Sequence, residues 1–277
     1  MSRSIGPVLI NGVAFDPSEA SISVFDIGFQ RGYGCFEAMR SYGGVPFRLD
    51  EHLARLENGA RALRIDLGSL DRLKGWCLAV SKAGDGVLRV YVTGGVDSSH
   101  PGTDNSIVIF MEEVPDIPDS FTLDVIEAPW HSDGRTSELT GAKTLSYGPN
   151  LAATIGARSR GFDDAALVGR GGMVLEGPTF SLGWVKDGVV FTPSLDTHIL
   201  ASVTRNAVLE VARNLEVPLN VGSFQMEELL DADEAFCLST VREVSPVVRL
   251  GTVELPLGPV TEALRQGFLD LVAAETT

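Results

Sequence analysis

Lysine is the scarce residue of this 277-residue chain: of 22 Lys and Arg residues only four are lysines, Lys74, Lys82, Lys143 and Lys186. Cysteine is scarce as well. Cys35, Cys77 and Cys237 are odd in number, far apart and form no C-x-x-C pair. That excludes a disulfide framework and fits a reducing cytoplasm. The four histidines, His52, His100, His131 and His198, are scattered without an H-E-x-x-H or Cys/His cluster, so no metal site is expected. No run approaches the roughly 20 apolar residues of a membrane span, and residues 1–10 lack the apolar core of a secretory signal. The net charge of −15 repels phosphate backbones and anionic lipids, which argues against nucleic-acid and membrane partners. The phosphate loop G-x-x-x-x-G-K-[ST], the dinucleotide fingerprint G-x-G-x-x-G and the nucleophile elbow G-x-S-x-G are all missing, and Gly32-Tyr33-Gly34 lacks a third glycine.

What is present reads as α/β. Residues 8–15 form an expected hairpin around Asn11-Gly12, and residues 34–42 a strand ending at Gly43-Gly44. Asp50 is expected to cap a helix whose apolar stripe is Leu53, Leu56, Ala60 and Leu63, and a second helix covers residues 70–82. Strands follow at 87–93 and 106–111. The acidic, proline-bearing stretch 112–119 has no periodicity and marks a linker. Beyond it, strands are expected at 122–128, 165–169, 173–176, 182–186 and 189–192, the last four as a meander. A helix at 202–215, a strand at 234–240 and a closing helix at 260–274 complete the pattern. The expected division is a small N-terminal domain over 1–114, a linker over 115–120 and a large domain over 121–277 that carries Lys143.

Residue pattern alone does not single out a chemistry. Lys143 lies in the small, hydroxyl-rich stretch Thr140-Gly141-Ala142-Lys143-Thr144-Leu145-Ser146-Tyr147, where a buried lysine would be a good imine-forming nucleophile. A surface loop lysine fits the same pattern. Glu176 reads equally as a turn carboxylate, Arg55 as a polar-face arginine and Ser202-Val203-Thr204 as a simple helix start.

Taken in order, however, the segments resemble the fold-type IV pyridoxal-phosphate aminotransferases. The first runs from Phe25-Asp26-Ile27-Gly28-Phe29 through Phe36-Glu37-Ala38-Met39-Arg40, and His52-Leu53-Ala54-Arg55-Leu56 follows. Next come Lys143-Thr144-Leu145-Ser146-Tyr147, then Glu176-Gly177 with Thr192-Pro193, Val203-Thr204-Arg205, and Ala232-Asp233-Glu234-Ala235-Phe236. The resemblance implies a two-lobed α/β (α+β) fold with a small N-terminal and a larger strand-rich C-terminal domain, and pyridoxal 5′-phosphate as cofactor. It implies that Lys143 is the Schiff-base lysine and proton shuttle, and that Glu176 pairs with the pyridine nitrogen. Arg55 would grip the phosphate with the backbone amides of Val203 and Thr204. Thr240 and Ser239 would complete that cup, and Tyr147 would bond the ring 3-oxygen.

Some positions depart from the family pattern. Ser181 stands where relatives have Asn, Gly183-Trp184 where they have Phe, Tyr33 where they have Asp, and Ser202 where they have Gly. A substrate arginine of D-amino-acid relatives is missing at Val92-Thr93-Gly94-Gly95. The expected replacements are Arg89 first, then Arg31, Arg242 and Arg40, with Tyr33 and Phe36 also at the substrate. The resemblance leans toward transamination between a D-amino acid, such as D-alanine or D-glutamate, and a 2-oxo acid such as 2-oxoglutarate. Alternatives are a branched-chain L-amino-acid or (R)-amine transaminase, an aminodeoxychorismate lyase, or a non-catalytic cofactor-binding homologue. A homodimer is expected by analogy.

Overall fold

The Asn11-Gly12 pair turns the chain as expected, because both residues adopt positive φ (51° and 84°), the conformation a tight two-residue hairpin requires. It joins β1 (Val8–Ile10) to β2 (Val13–Phe15) in a computed structural model that describes residues 4–131 and 136–277. Gly12 also rests on the Trp76 indole, where an added Cβ would come within 2.5 Å of the ring.

The chain divides into two units. The first comprises Met1–Pro115, Ala142–Tyr147 and Ala273–Thr277. After the hairpin come α1 (Ile27–Arg31), β3 (Gly34–Tyr42), β4 (Val45–Pro46), α2 (Leu49–Ala62), α3 (Leu70–Ser81), β5 (Gly86–Thr93) and β6 (Ile107–Glu112). Asp50 does not cap α2: the N-cap is Arg48 in the left-handed conformation (φ 51°), and Asp50 sits in the first turn. There its carboxylate serves the helix dipole and accepts from Lys74 Nζ at 2.8 Å.

The six strands pair in the order β2-β1-β6-β5-β3-β4. Period-2 alternation gives this sheet two different faces. Met39, Leu88, Val90, Ile109 and Met111 pack with Leu53, Leu56, Leu73 and Cys77 from α2 and α3 in one buried core. The opposite face carries Phe36, Arg40, Arg89, Tyr91 and Phe110, each half-buried.

The second unit comprises Asp116–Gly141 and Gly148–Val272. Its elements are β7 (Phe121–Glu127), α4 (Gly148–Ser159), β8 (Asp164–Val168), β9 (Ser181–Lys186), β10 (Val189–Pro193), α5 (Val203–Asn214), β11 (Leu219–Gly222), α6 (Met226–Leu230), β12 (Glu234–Ser239), β13 (Glu243–Leu250), β14 (Val253–Glu254) and most of α7 (Pro259–Thr276). The sheet runs β11-β10-β9-β12-β13-β7-β8, with β14 beside β13. The expected four-strand meander is therefore corrected. Only β9 and β10 form a hairpin, β8 lies at the far end, and residues 173–176 make single bridges through Met173 and Val174.

The division at Pro115 falls within the expected linker, but Lys143 does not belong with the C-terminal unit. Its segment lengthens the edge of β3 instead. Phe36 N–H donates to the Lys143 carbonyl (3.0 Å) and Leu145 N–H to the Gly34 carbonyl (2.9 Å), with Cys35 bridging Thr144. Gly34 permits the approach: a Cβ there would lie 2.6 Å from Leu145 Cδ1 and 2.3 Å from the Val92 carbonyl oxygen. Among the described residues no helix is long and apolar enough to cross a membrane.

Candidate active site

In the first unit, that strand-like pairing delivers Lys143 onto an aromatic surface. Lys143 Nζ donates to Tyr147 Oη at 3.2 Å and lies 4.3 Å from the centroid of the Phe36 ring. Tyr91 stacks on Phe36 (5.6 Å) and Phe110 on Tyr91 (5.8 Å), while Tyr147 meets Phe36 edge-on at 5.1 Å. The register explains this row, since Phe36 pairs directly with Tyr91 and Phe110 with the neighbouring Arg89. Beyond Tyr91 the same unit holds a cavity of about 470 Å³ whose lining includes Val8, Ile10, Ile22, Phe29, Phe110 and Leu145.

Behind Lys143 lies a buried charged cluster. Glu37 is fully buried and accepts from Arg55 Nε (2.6 Å) and Arg55 Nη2 (2.7 Å), and its Oε2 lies 2.8 Å from His52 Nδ1. Burial pushes the Glu37 carboxyl up, but the Arg55 guanidinium and the hydrogen bonds from Arg55 and His52 outweigh it and hold the group at about 2. Burial pushes His52 below its ordinary value, against the pull of Glu37, so the ring is neutral at pH 7. Glu37 and His52 were not among the expected site residues. Two signals were available: Glu37 alternates in phase with inward Cys35 and Met39, and His52 and Arg55 are three apart on α2, so they share a face.

The expected substrate residues of this unit divide. Arg40 and Arg89 share the face that carries Phe36, Arg40 with its guanidinium 5.0 Å from the Tyr42 ring and Arg89 with its Nε 2.7 Å from Glu112 Oε2. Arg31 is exposed in the last turn of α1. Tyr33 turns the other way: its hydroxyl donates to the Leu63 carbonyl at 2.6 Å and its ring packs on the helix-side core.

In the second unit, Glu176 is set beside β8 by the hydrogen bond from Leu167 N–H to its carbonyl (2.8 Å). Leu200 N–H lies 3.3 Å from both Glu176 carboxylate oxygens, and His131 Nε2 is 3.6 Å from Oε1. Neither Leu200 nor His131 was expected here, and no sequence periodicity links them to Glu176. Ser202 caps α5 by accepting from Arg205 N–H (3.2 Å). Val203 and Thr204 are the first two residues of that helix, where backbone N–H groups have no intrahelical acceptor. Buried Arg205 donates to Thr192 Oγ1 (3.1 Å) and the Pro193 carbonyl (2.7 Å), so two motif segments that are separate in sequence form one clamp. Ser239 ends β12 and its hydroxyl accepts from Arg242 N–H at 3.1 Å, with Thr240 next in the turn.

Arg242 is placed in the second unit, beside β8 and the turn after β12. Its guanidinium lies 4.5 and 4.4 Å from the centroids of the Phe121 and Phe180 rings, and Nη2 donates to buried Asp164. Asp164 also accepts from Thr154 Oγ1 (2.7 Å), so Arg242 Nη2 joins an internal network, while its Nη1 is buried without a hydrogen-bond partner among the described residues.

The donor set suits pyridoxal 5′-phosphate. The first unit offers an amine bonded to a phenol at Lys143 and Tyr147 and an arginine at Arg55, and the second offers a carboxylate at Glu176 and helix-terminal amides at Val203 and Thr204, the residue types such a group would need. The sequence pattern described as amino-transferase class IV matches residues 34–250. The chain is 32% identical to a putative branched-chain-amino-acid aminotransferase of Methanocaldococcus jannaschii, covering 95% of this chain and 96% of that protein. It is 29% identical to a D-alanine aminotransferase of Staphylococcus haemolyticus, over 94% and 96% of the two chains. A fold IV transaminase structure from Curtobacterium pusillum superposes with a TM-score of 0.86 at 29% identity, covering 93% of each chain. The chain thus belongs to the class IV aminotransferases, enzymes that depend on pyridoxal 5′-phosphate.

Proposed function

We propose that this aminotransferase takes its amino group from an amino acid with an apolar side chain and passes it to a 2-oxo acid such as 2-oxoglutarate. The observation that carries this reading is the uncharged aromatic row Phe36-Tyr91-Phe110 beside Lys143 Nζ. Such a surface accepts a methyl or branched side chain, and Arg40 and Arg89 on the same face are the candidates for carboxylates. D-Alanine is the donor supported by the D-alanine aminotransferase relative from Staphylococcus haemolyticus. A branched-chain L-amino acid is the rival, supported by the relative from Methanocaldococcus jannaschii and by the extent of the aromatic row. D-Glutamate fits less well as a donor.

Pyridoxal 5′-phosphate supplies the electron-accepting ring on which the amino group is exchanged. Lys143 Nζ, oriented by Tyr147 Oη, is the amine that anchors the cofactor and then moves the proton of the donor's Cα. Phe36 and Tyr147 shield that amine from water on two sides. Arg55 takes the role of a phosphate ligand. In the second unit, the amides of Val203 and Thr204 and the hydroxyls of Ser239 and Thr240 would offer donors to a phosphate, and the Glu176 carboxylate would keep a pyridine nitrogen protonated. Arg89, on the face of Phe36 and Tyr91, remains the first candidate for a substrate carboxylate, with Glu112 released as it turns.

A homodimer is part of this reading. Val24, Phe25 and Phe29 are 64%, 70% and 71% exposed, a cluster that a second copy would cover. The three buried, unbridged cysteines support a cytoplasmic location. The test is to mix the cofactor-loaded protein with D-alanine, L-leucine, D-glutamate or L-glutamate alone and follow the absorbance change. Faster conversion with D-alanine or L-leucine than with either glutamate supports the apolar donor, and comparison with the opposite enantiomer of the faster one sets the stereochemistry. Glutamate outpacing both sinks the reading.

A further inference from the structure

We infer that Glu37 is a positioning residue for phosphate recognition: its carboxylate fixes the plane of the Arg55 guanidinium, and His52 locks the carboxylate in turn. The inference rests on the reading of Arg55 as a ligand of the cofactor phosphate. Arginine recognises phosphate through a planar fork, so affinity depends on where that plane points. The side chain has four rotatable bonds and would lose this direction if left alone. Here Glu37 engages Nε at 2.6 Å and Nη2 at 2.7 Å, a two-point grip along one side of the guanidinium. The carboxylate cannot swing either, because it is fully buried and its Oε2 is held by His52 Nδ1 at 2.8 Å. His52 is itself buried on α2, one turn before Arg55, so one helix carries both the phosphate ligand and the lock of its buttress. Ionised Glu37 then requires the proton of His52 on Nδ1.

Two effects of Glu37 on a phosphate have opposite signs. Its negative charge repels the phosphate, and its grip aims the arginine. The double hydrogen bond makes the grip the larger effect, since the guanidinium that Glu37 holds offsets most of its negative charge while the fork keeps its direction.

The test compares binding of pyridoxal 5′-phosphate with that of unphosphorylated pyridoxal, followed by tryptophan fluorescence, in Glu37→Gln, His52→Gln and Arg55→Gln. Thermal unfolding of each apo protein checks the fold. Glu37→Gln is expected to weaken the phosphate form by roughly tenfold or more and pyridoxal by less than about twofold. His52→Gln should shift the same ratio by a smaller factor. If Glu37→Gln does not fold, Glu37→Asp, which keeps the charge and shortens the reach, should lower the same ratio. Equal loss of both ligands, or tighter binding of the phosphate form, overturns the inference. Should Arg55→Gln lose the discrimination while Glu37→Gln keeps it, the positioning role fails and the phosphate reading stands. Discrimination that survives Arg55→Gln overturns both.

Discussion

Asp164 holds Arg242 inside the second unit, carboxylate to guanidinium, with the Phe121 and Phe180 ring centroids 4.5 and 4.4 Å from the cation. Both partners are largely removed from water, the Arg242 side chain 13% and the Asp164 side chain 2% exposed. Arg242 also pins the turn after β12, since its N–H donates to Ser239 Oγ and its carbonyl accepts from Ser245 Oγ at 2.6 Å.

Removing Arg242 therefore costs stability first. Arg242→Met leaves Asp164 with Thr154 Oγ1 and the Ala165 amide as compensation and is expected to lower stability by about 3 kcal/mol. Adding Asp164→Asn should return part of that loss. Chemical denaturation of the single and double variants measures both. A selective rise in KM for dicarboxylic substrates with unchanged stability would return Arg242 to the substrate.

Arg89 should behave in the opposite way. Its side chain is 25% exposed and paired with Glu112, itself 27% exposed, so Arg89→Gln is expected to cost under about 1 kcal/mol of stability. Its KM for 2-oxoglutarate should rise roughly tenfold, with the donor half-reaction for an apolar amino acid little changed. Steady-state kinetics in both directions checks the split.

The Glu37–His52 pair predicts the acid limb of the stability curve. A carboxyl held at about 2 against an ordinary 4.5 contributes stability that is present above 4.5 and lost as pH falls toward 2. A histidine held below its ordinary 6.5 contributes stability that is full above 6.5 and lost as pH falls through its lower folded value. The apo protein's Tm should accordingly drop in two stages, one beginning below 6.5 and one below 4.5. His52→Gln should flatten the first stage and keep the second. A Tm that stays level through both windows contradicts the assignment.

Gly183 answers one departure from the family pattern. It makes room for the Phe236 ring, which would lie 2.3 Å from a Cβ at that position, while Trp184 fills the core against Phe191 and Phe224. Gly183→Ala should cost about 1–3 kcal/mol through overpacking, measurable by thermal denaturation, and Phe236→Leu should recover some of it.

Local chemistry made much of the fold legible. Asn11-Gly12, Ser202 at the start of α5 and the alternation of β5 and β6 all express rules that act within a few residues. Strand order did not follow from such rules, because β9 pairs with β12 about fifty residues on and not with the segment before it. β13 escaped notice because it contains Pro246. The structure tolerates it there because pairing with β7 begins only at Val247. At the site, the motifs mixed two kinds of residue. Asp26 caps α1 through Gly28 N–H and accepts from Thr93 Oγ1; Asp233 accepts from Asp187 N–H, and Glu234 from the first amides of α7. These hold the scaffold, and only three-dimensional contacts separate them from Lys143 and Arg55.

The most direct test uses the scarcity of lysine. The protein loaded with pyridoxal 5′-phosphate is reduced with borohydride, digested and mapped by mass spectrometry. The phosphopyridoxyl group should be found on Lys143 and be lost in Lys143→Ala. Stoichiometric label on Lys74, Lys82 or Lys186, or label that persists in Lys143→Ala, would contradict the account.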